Sequence, residues 1–456
     1  MGNRSSPSHL TPNVYCTEQT VHWPSTDAQE CGITMDPPPT TAGDGSVPAL
    51  QHALLATLKH NGLLRSPHVE AAFHAVPRHL FLPGVPLDEV YRDWSVSIKQ
   101  RDGVSISSSS QPSMMAIMLE QLDLQPGQRV LEIGTGTGYN AALMAQMVGA
   151  TGHVVTIDLD ADLVDHARAH LAAAGVAQVH VVCADGAGGY RDGAPYDRII
   201  VTAAAWDIVP AWREQLRPGG RLVLPLDIRG YQESVAFVHH GDHLASVARH
   251  GCGFMPVRGR SAGPDTALPL GPEPGLVLTV ADRSQLDAAA TYHVLTGPRR
   301  DWPVGVHVSA QELGERVRLW LAARAPGVCS IGARGAITRR GVVPYLVGIH
   351  DQDGFSMGLV DRGALALLMR PPGELPPLDP APYADTAPFA LWVRSFGLDD
   401  RLAQPLIAHI TAWNTAGRPG TDRLRLRVYP KPGDYIAAPQ AAVIEKRWNW
   451  VVVDCT

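Results

Sequence analysis

The clearest chemistry in this 456-residue chain sits in Val130-Leu131-Glu132-Ile133-Gly134-Thr135-Gly136-Thr137-Gly138-Tyr139-Asn140. Val130, Leu131 and Ile133 predict a buried strand. Gly134, Gly136 and Gly138 give that strand an exit in which the backbone can take positive φ and approach a nucleotide-like ligand with no Cβ in the way. A helix expected from Tyr139 to Val148 then points its amide end at the same place. A G-x-G-x-G run can also be an ordinary tight turn, so the residues downstream decide its meaning. A second strand, His153 to Ile157, delivers Asp158 about twenty residues after the last glycine, where a carboxylate can bind both hydroxyls of a ribose.

The elements that must position these groups follow in order. Val179 to Val182 leads to Asp185-Gly186, and Tyr196 to Val201 is another strand. The turn Leu216-Arg217-Pro218-Gly219-Gly220 opens into a strand from Arg221 to Pro225. Strands alternating with helical segments predict an α/β fold built on a doubly wound parallel sheet. Before the glycine turn, Leu50, Leu54, Leu55 and Leu58 fall at helical spacing, Asn61-Gly62 stops that helix, and Val69 to Phe73 begins another.

Dinucleotide turns space their glycines G-x-G-x-x-G, whereas here the spacing is G-x-G-x-G. With acids at 158 and 185, the pattern resembles class I (Rossmann-like) methyltransferases that use S-adenosyl-L-methionine. Val76-Pro77-Arg78-His79-Leu80-Phe81-Leu82-Pro83, Tyr91-Arg92-Asp93, Ser108-Ser109-Ser110-Gln111-Pro112-Ser113-Met114, Ala203-Ala204-Ala205 and Leu216 to Arg221 narrow the likeness. In that order they resemble the protein-L-isoaspartate O-methyltransferase family, over roughly Leu54 to Pro256. The resemblance implies S-adenosyl-L-methionine as cofactor. It places Glu132 and Gly134, with Thr135, Gly136 and Gly138 of the same turn, beside the methionine part, Asp158 at the ribose and Asp185-Gly186 at the adenine. It also implies that Ser108 and Ser110, matching the threonine and serine of the family's T-I-S-x-P motif, donate hydroxyls to an acceptor carboxylate. Ser109 lies between them in the same candidate catalytic run. By composition alone Ser107 to Ser110 could be a flexible linker, but its place immediately before a helix start and its match to the family's substrate motif favour the functional reading.

Composition bounds the rest. A net charge of −6 and a pI near 6.3 argue against nucleic acid as partner. No run approaches the ~20 apolar residues of a membrane span, and the first fifty residues hold no signal-peptide core, so a cytoplasmic protein is expected. Six cysteines without C-x-x-C predict free thiols. Nineteen histidines without H-E-x-x-H predict no metal site, and His239-His240-Gly241-Asp242-His243 reads as a polar hairpin.

Residues 1–46 are expected to be disordered, 47–258 to form the catalytic domain, and Gly/Pro-rich 259–275 to be a linker. Residues 276–456 are expected to form a C-terminal α+β substrate-recognition domain. Within it Leu276 to Ala281 and Val304 to Val308 read as strands, Ser309-Ala310-Gln311-Glu312 as a capping box, and Leu313, Val317, Trp320 and Leu321 as one apolar helix face. Val342 to Ile349, Phe355 to Val360 and Ala364 to Met369 suggest a meander, followed by proline-rich Pro371 to Pro382. Leu391 to Val393, a helix near Leu402 to Trp413, Leu424 to Val428 and Trp448 to Val453 complete it. Arg425 and Arg427 read as the exposed face of a strand or as a row for an acidic peptide, and Trp448 and Trp450 share one face.

A sulfonium donor is cationic and a carboxylate acceptor anionic, so methyl transfer gives two neutral products and gains from a pocket that excludes water. An aspartyl carboxyl with pKa near ~4 is already ionised at neutral pH, so positioning is the main task. Two departures from the family stand out: Ser113 replaces the histidine many members carry after the motif's proline, and Trp206 stands where they often have proline. The long extension resembles that of actinobacterial relatives associated with ribosomally made peptides. This implies methylation of an aspartate in a cyclised precursor peptide, followed by aspartimide formation. The alternatives are general isoaspartyl repair and, in another class, a peptide-binding chaperone with a vestigial methyltransferase fold.

Overall fold

A computed structural model describes residues 45–456 apart from 273–274, 350–352, 375–386, 421–422, 434–440 and 456. Nearly all of the N-terminal segment and most of the proline-rich stretch after Pro371 therefore lie outside the described residues. The described chain divides into one unit of residues 45–186 and 190–200 and a second of 187–189 and 201–456.

The first unit opens with α1 (Val47–His60), whose Leu54, Leu55 and Leu58 are buried, and α2 (Pro67–Ala75), capped by the Ser66 hydroxyl accepting from the Val69 N–H. Glu120 accepts the Arg65 and Ser66 amides, both at 2.8 Å, and so fixes the link between the two helices. After α3 (Leu87–Val90) comes a hairpin, β1 (Val96–Arg101) and β2 (Val104–Ser109). Its loop is Asp102-Gly103, with φ of 52° and 75°, the backbone of the two-residue turn that sets hairpin register. Two one-residue irregularities, Ile98 in β1 and Ile106 in β2, offset each other along the pair. The nearly wholly buried α4 (Pro112–Leu122) follows, then β3 (Arg129–Ile133), α5 (Tyr139–Val148), β4 (His153–Asp158), α6 (Ala161–Ala173), β5 (Val179–Cys183) and β6 (Tyr196–Val201). The strand order is β6-β3-β4-β5, and Val130 pairs Val154, which pairs Val179, in parallel register. This is the expected α/β sheet. The expected helix from Tyr139 to Val148 and the strand from Tyr196 to Val201 match to the residue.

The second unit begins with α7 (Pro210–Gln215) and an antiparallel meander of β7 (Leu216–Ile228), β8 (Tyr231–His239) and β9 (Leu244–Gly251). Cross-strand pairing of β7 with β8 starts at Arg221, after Gly219 with φ 73°. His239 to His243 is the hairpin end joining β8 to β9, with the His240 N–H donating to the His243 carbonyl. Next come β10 (Ala267–Pro269), β11 (Leu276–Val280), α8 (Ala288–Thr296) and β12 (Arg299–Val308). A helix runs from α9 (Ala310–Glu312) through a π turn (Leu313–Val317) into α10 (Arg318–Arg324). Both halves of the Ser309–Glu312 capping box form, and Leu313, Val317, Trp320 and Leu321 are buried. Then follow β13 (Val328–Ala333), α11 (Ala336–Arg339), β14 (Val347–Ile349), β15 (Asp353–Asp361), β16 (Ala364–Met369), β17 (Phe389–Phe396), α12 (Ala403–Thr415), β18 (Leu424–Pro430), β19 (Ala442–Glu445) and β20 (Asn449–Cys455). One sheet has the order β10-β11-β13-β15-β16-β17-β12. Leu278, Ile331, Leu367 and Phe396 are at the centre of its core.

Three features differ from the expected domain plan. The span 259–275, expected as a linker, contains β10, which pairs antiparallel with β11 from Ala267↔Thr279 to Pro269↔Val277. Residues 201–258, expected in the catalytic domain, group with the extension. The last strands, expected within 276–456, return to the meander: Arg427 pairs Ala245, and Val428 pairs Leu244. Arg249 on β9 ion-pairs with the buried Glu233 and donates to the Leu424 carbonyl at 2.6 Å, and Asp207 accepts from the Trp448 amide and the Asn449 side chain, both at 2.6 Å. The pairings that tie the last strands back, between residues 175 to 242 positions apart, leave no trace in local periodicity. Cys183, Cys252 and Cys329 are free thiols among the described residues.

Candidate active site

All the expected cofactor residues meet at the carboxyl ends of β3, β4 and β5, where open α/β sheets bind ligands. Gly134, Gly136 and Gly138 take φ of 104°, 53° and 85°, conformations that cost a side-chain-bearing residue energy. Gly134 and Thr135 donate their amides to the Ile157 carbonyl at 2.8 and 3.2 Å, which folds the turn back over the end of β4. Gly138 caps α5, and a Cβ on it would approach Ala167 of α6 to 3.3 Å.

Asp158 ends β4 at 8% exposure. One of its carboxylate oxygens accepts the Gly136 amide at 3.0 Å and the other the Asp160 amide at 3.2 Å. Asp185-Gly186 comes next to it, because the Ala184 amide bonds the Asp158 carbonyl at 2.9 Å. A Cβ on Gly186 would strike Ile133 Cγ2, so glycine allows this loop to press against the end of β3.

Glu132 is wholly buried and accepts from Asn140 Nδ2 at 2.7 Å and from Thr156 Oγ1 at 2.6 Å. Burial pushes its carboxyl up to about 7, against the two hydrogen bonds that favour the ionised form. Thr135 Oγ1 lies 2.8 Å from Thr156 Oγ1 and extends the network into the turn. In this structure Glu132 therefore braces the turn from behind.

The serine run occupies the end of β2. Ser109 is buried at 4% exposure, whereas Ser108 and Ser110 on either side are part-exposed. Ser109, the last residue of β2, is thus turned inward, while Ser108 in the strand and Ser110 just beyond it stay partly accessible. A Cβ built on Gly136 would lie 3.6 Å from the Ser108 carbonyl oxygen and 3.9 Å from Ile98 Cδ1, which brings the hairpin and the glycine turn together. Lys99 on β1 reinforces this by pairing with Asp160 and Asp162 at 3.1 and 2.6 Å, at the start of α6.

Several positioning groups were quoted in motifs without a role. Arg78 is 1% exposed and donates to the Ser110 carbonyl at 3.0 Å, with its Nε and Nη2 lacking partners. Burial lowers its pKa from the usual arginine value. Asp93 accepts the Ser113 amide at 2.8 Å and Gln111 Nε2 at 3.3 Å, fixing the start of α4 and with it the exit from the serine run. Ser113 itself is fully buried, and its hydroxyl has no partner. The signal for these residues is their place in the ordered motifs, as it is for Asn140 at the end of the glycine run; no local pattern marks Lys99 or Thr156 as part of the site.

Three glycines at positive φ, a carboxylate at the end of the second strand, a second acid beside it and no cation in the turn form a donor set that fits a nucleoside carrying a positively charged sulfur. S-adenosyl-L-methionine is the cofactor that fits. No helix among the described residues is long and apolar enough to cross a membrane.

Comparison with known proteins identifies a family. The family model described as protein-L-isoaspartate(D-aspartate) O-methyltransferase (PCMT) matches residues 49–262. A protein-L-isoaspartate O-methyltransferase of Methanopyrus kandleri is 42% identical over 208 residues, 45% of this chain and 90% of that protein. One from Thermotoga maritima is 38% identical over 190 residues, 41% of this chain and 59% of that protein. A solved structure titled protein-L-isoaspartate O-methyltransferase aligns with a TM-score of 0.48 at 23% identity, covering 85% of this chain and 99% of that one. With the motifs, the site and nine-tenths of a 42% identical relative in agreement, the chain belongs to the protein-L-isoaspartate O-methyltransferase family.

Proposed function

We propose that this protein is an S-adenosyl-L-methionine-dependent O-methyltransferase that esterifies the side-chain carboxylate of an aspartyl or isoaspartyl residue in a peptide. The observation that carries this reading is the approach of the serine strand to the cofactor turn, close enough that a Cβ on Gly136 would lie 3.6 Å from the Ser108 carbonyl oxygen. When bound, the cofactor supplies an electrophilic methyl group on a sulfonium. Ser108 and Ser110 offer hydroxyl donors that can hold and orient the acceptor carboxylate, whose oxygen is the nucleophile. On this reading Asp158 takes the ribose and Asp185 the adenine, while Glu132, Asn140 and Thr156 brace the turn through their buried hydrogen bonds. No residue needs to remove a proton, since the acceptor is ionised at neutral pH. Catalysis is then orientation in a site shielded from water.

The finer reading is that the substrate is a constrained, ribosomally made peptide, as in long actinobacterial forms of the family. Its support is the extension, which builds a second sheet with its own core beyond the residues that the family model matches. On this reading the ester is an intermediate: the next residue's backbone nitrogen attacks the ester carbonyl, methanol leaves, and a five-membered succinimide closes. General isoaspartyl repair is the second reading, favoured by the names of the similar proteins. Methyl transfer to three peptides separates them: a linear isoaspartyl peptide, its linear aspartyl counterpart, and a side-chain-cyclised aspartyl peptide. Constrained-substrate activity requires turnover of the cyclised peptide, with mass spectrometry showing one added methyl and then a net loss of water. Turnover of the isoaspartyl peptide alone assigns repair, and turnover of none refutes both.

A further inference from the structure

Within the second unit lies a cavity of about 180 Å³. Its volume is below the ~300 Å³ at which pockets begin to enclose a drug-sized molecule, so it suits one side chain with its flanking backbone. Trp206 and Phe355 supply rings, Arg318 and Arg334 supply cations, and Asp227 is the one acid among the described residues of the lining. Asp227 is already engaged in its own turn, accepting the Gly230 amide at 3.0 Å, and burial pushes its carboxyl above the ordinary range. Arg318 is held between two rings, with its guanidinium carbon 5.3 Å from the centroids of both Tyr231 and Phe355. Thr266, Thr279 and Ser330 add hydroxyls, donors that combine with guanidinium groups to bind carboxylates.

Two glycines shape the space. A Cβ on Gly263 would strike Trp206 at 2.5 Å, so glycine lets that loop close over the indole. A Cβ on Gly332 of β13 would meet nothing within 4 Å, so this wall is open where any other residue would intrude. Arg318, Ser330, Gly332, Arg334 and Phe355 all lie beyond the family match, which ends at residue 262. Trp206, the departure from the family's frequent proline, is one of the lining residues that the matched segment contributes, with Asp227 and Gln232 among the others.

We propose that this cavity is a subsite for an acidic side chain of the peptide substrate, its carboxylate taken by Arg318 and Arg334 and its methylenes packed on Trp206 and Phe355. The proposal rests on the reading that the substrate is a peptide. A planar guanidinium pair matches a carboxylate in geometry as well as charge, and the ring sandwich around Arg318 reduces the rotamer freedom lost on binding.

The test uses the full chain and two probes, acetyl-Gly-Glu-Gly-amide and its Gln counterpart, with affinities read by saturation-transfer NMR. The Glu peptide is expected to bind at least tenfold more tightly, and the preference should weaken as salt is raised. Arg334→Gln, which removes a cation, and Gly332→Leu, which fills the space, should each bring the Glu peptide down to the level of the Gln peptide. Their circular dichroism and unfolding midpoints serve as the check on folding. Equal affinity of the two peptides for the wild-type chain overturns the proposal without recourse to any variant, as does an unchanged preference in both folded variants. Neither probe contains an aspartyl group, so the result is independent of methyl transfer. A chain that prefers the Glu probe but esterifies no aspartyl or isoaspartyl peptide keeps the subsite and loses the proposed activity.

Discussion

Asp158→Ala should weaken cofactor binding in a way that its two present duties make calculable. A carboxylate has about four lone-pair sites, and here the Gly136 and Asp160 amides use one on each oxygen. Two carboxylate oxygens in one plane also match the paired hydroxyls of a ribose. Hydrogen bonds to a charged group contribute roughly 1.5 to 3 kcal/mol net, so losing the ribose contact costs ~2 kcal/mol or more, about thirtyfold in Kd at 1.36 kcal/mol per decade. Loss of the Gly136 anchor adds to this by freeing a glycine turn that has many backbone conformations open to it. Asp158→Asn separates the effects. Its amide oxygen can still accept from Gly136, but its nitrogen faces the Asp160 amide and the charge is gone. Calorimetry with S-adenosylhomocysteine on the wild type, the Asn variant and the Ala variant should therefore give three descending affinities. An Ala variant with a wild-type unfolding midpoint and unchanged affinity would refute the ribose role.

Ser108→Ala and Ser110→Ala should each lower methyl transfer by about tenfold or more, the loss of one hydroxyl bond to a charged acceptor, with S-adenosylhomocysteine affinity retained; wild-type turnover in the double variant would leave the run a structural part of the hairpin with no role in substrate positioning. Glu132 should make the fold less stable as pH rises from its ordinary 4.5 to about 7, because the folded state holds the proton more tightly than the unfolded chain. The gap amounts to about 3 kcal/mol, and Glu132→Gln should flatten the dependence in urea titrations compared at about pH 5 and about pH 8. A variant with the wild-type slope would count against it. Truncation after Pro264 should give aggregates, since it strips β18 from β9 and removes the Leu424 carbonyl that Arg249 bonds; a soluble, monomeric truncation would show that the meander stands without those strands.

The cofactor side of the site was legible because local rules govern it. Branched strands at 130–133, 153–157 and 196–201 announce themselves by composition, and the glycines between them by the conformations that only glycine adopts cheaply. The serine run was found through motif order, while the distinction between Ser109 and its neighbours needed the strand's pairing. Asn140 stands at the end of the glycine run and Thr156 looks like an unremarkable polar residue in a strand; only folding places them on one buried carboxylate. The second unit was legible in pieces, including the capping box and the face made by Leu313, Val317, Trp320 and Leu321. Its assembly was not. β10 is three residues long within a Gly- and Pro-rich stretch, and its strand character comes from β11 alongside it. β18 joins β9 through contacts whose partners are nearly two hundred residues away, so composition placed the domain boundary at the linker-like segment.

The Asp102-Gly103 turn makes the serine run a matter of counting. Successive strand residues point to opposite sides, and this turn fixes where the count begins. One residue added or removed between Gly103 and Ser108 would put the run out of phase, offering Ser109 outward and burying the other two. The two existing irregularities, at Ile98 and Ile106, fall on opposite strands, so neither leaves the pair permanently shifted. Length changes in this hairpin should therefore be tolerated in even steps or in matched pairs across the two strands. A protein that keeps every serine but changes the count by one would carry the motif in sequence and lack it in space.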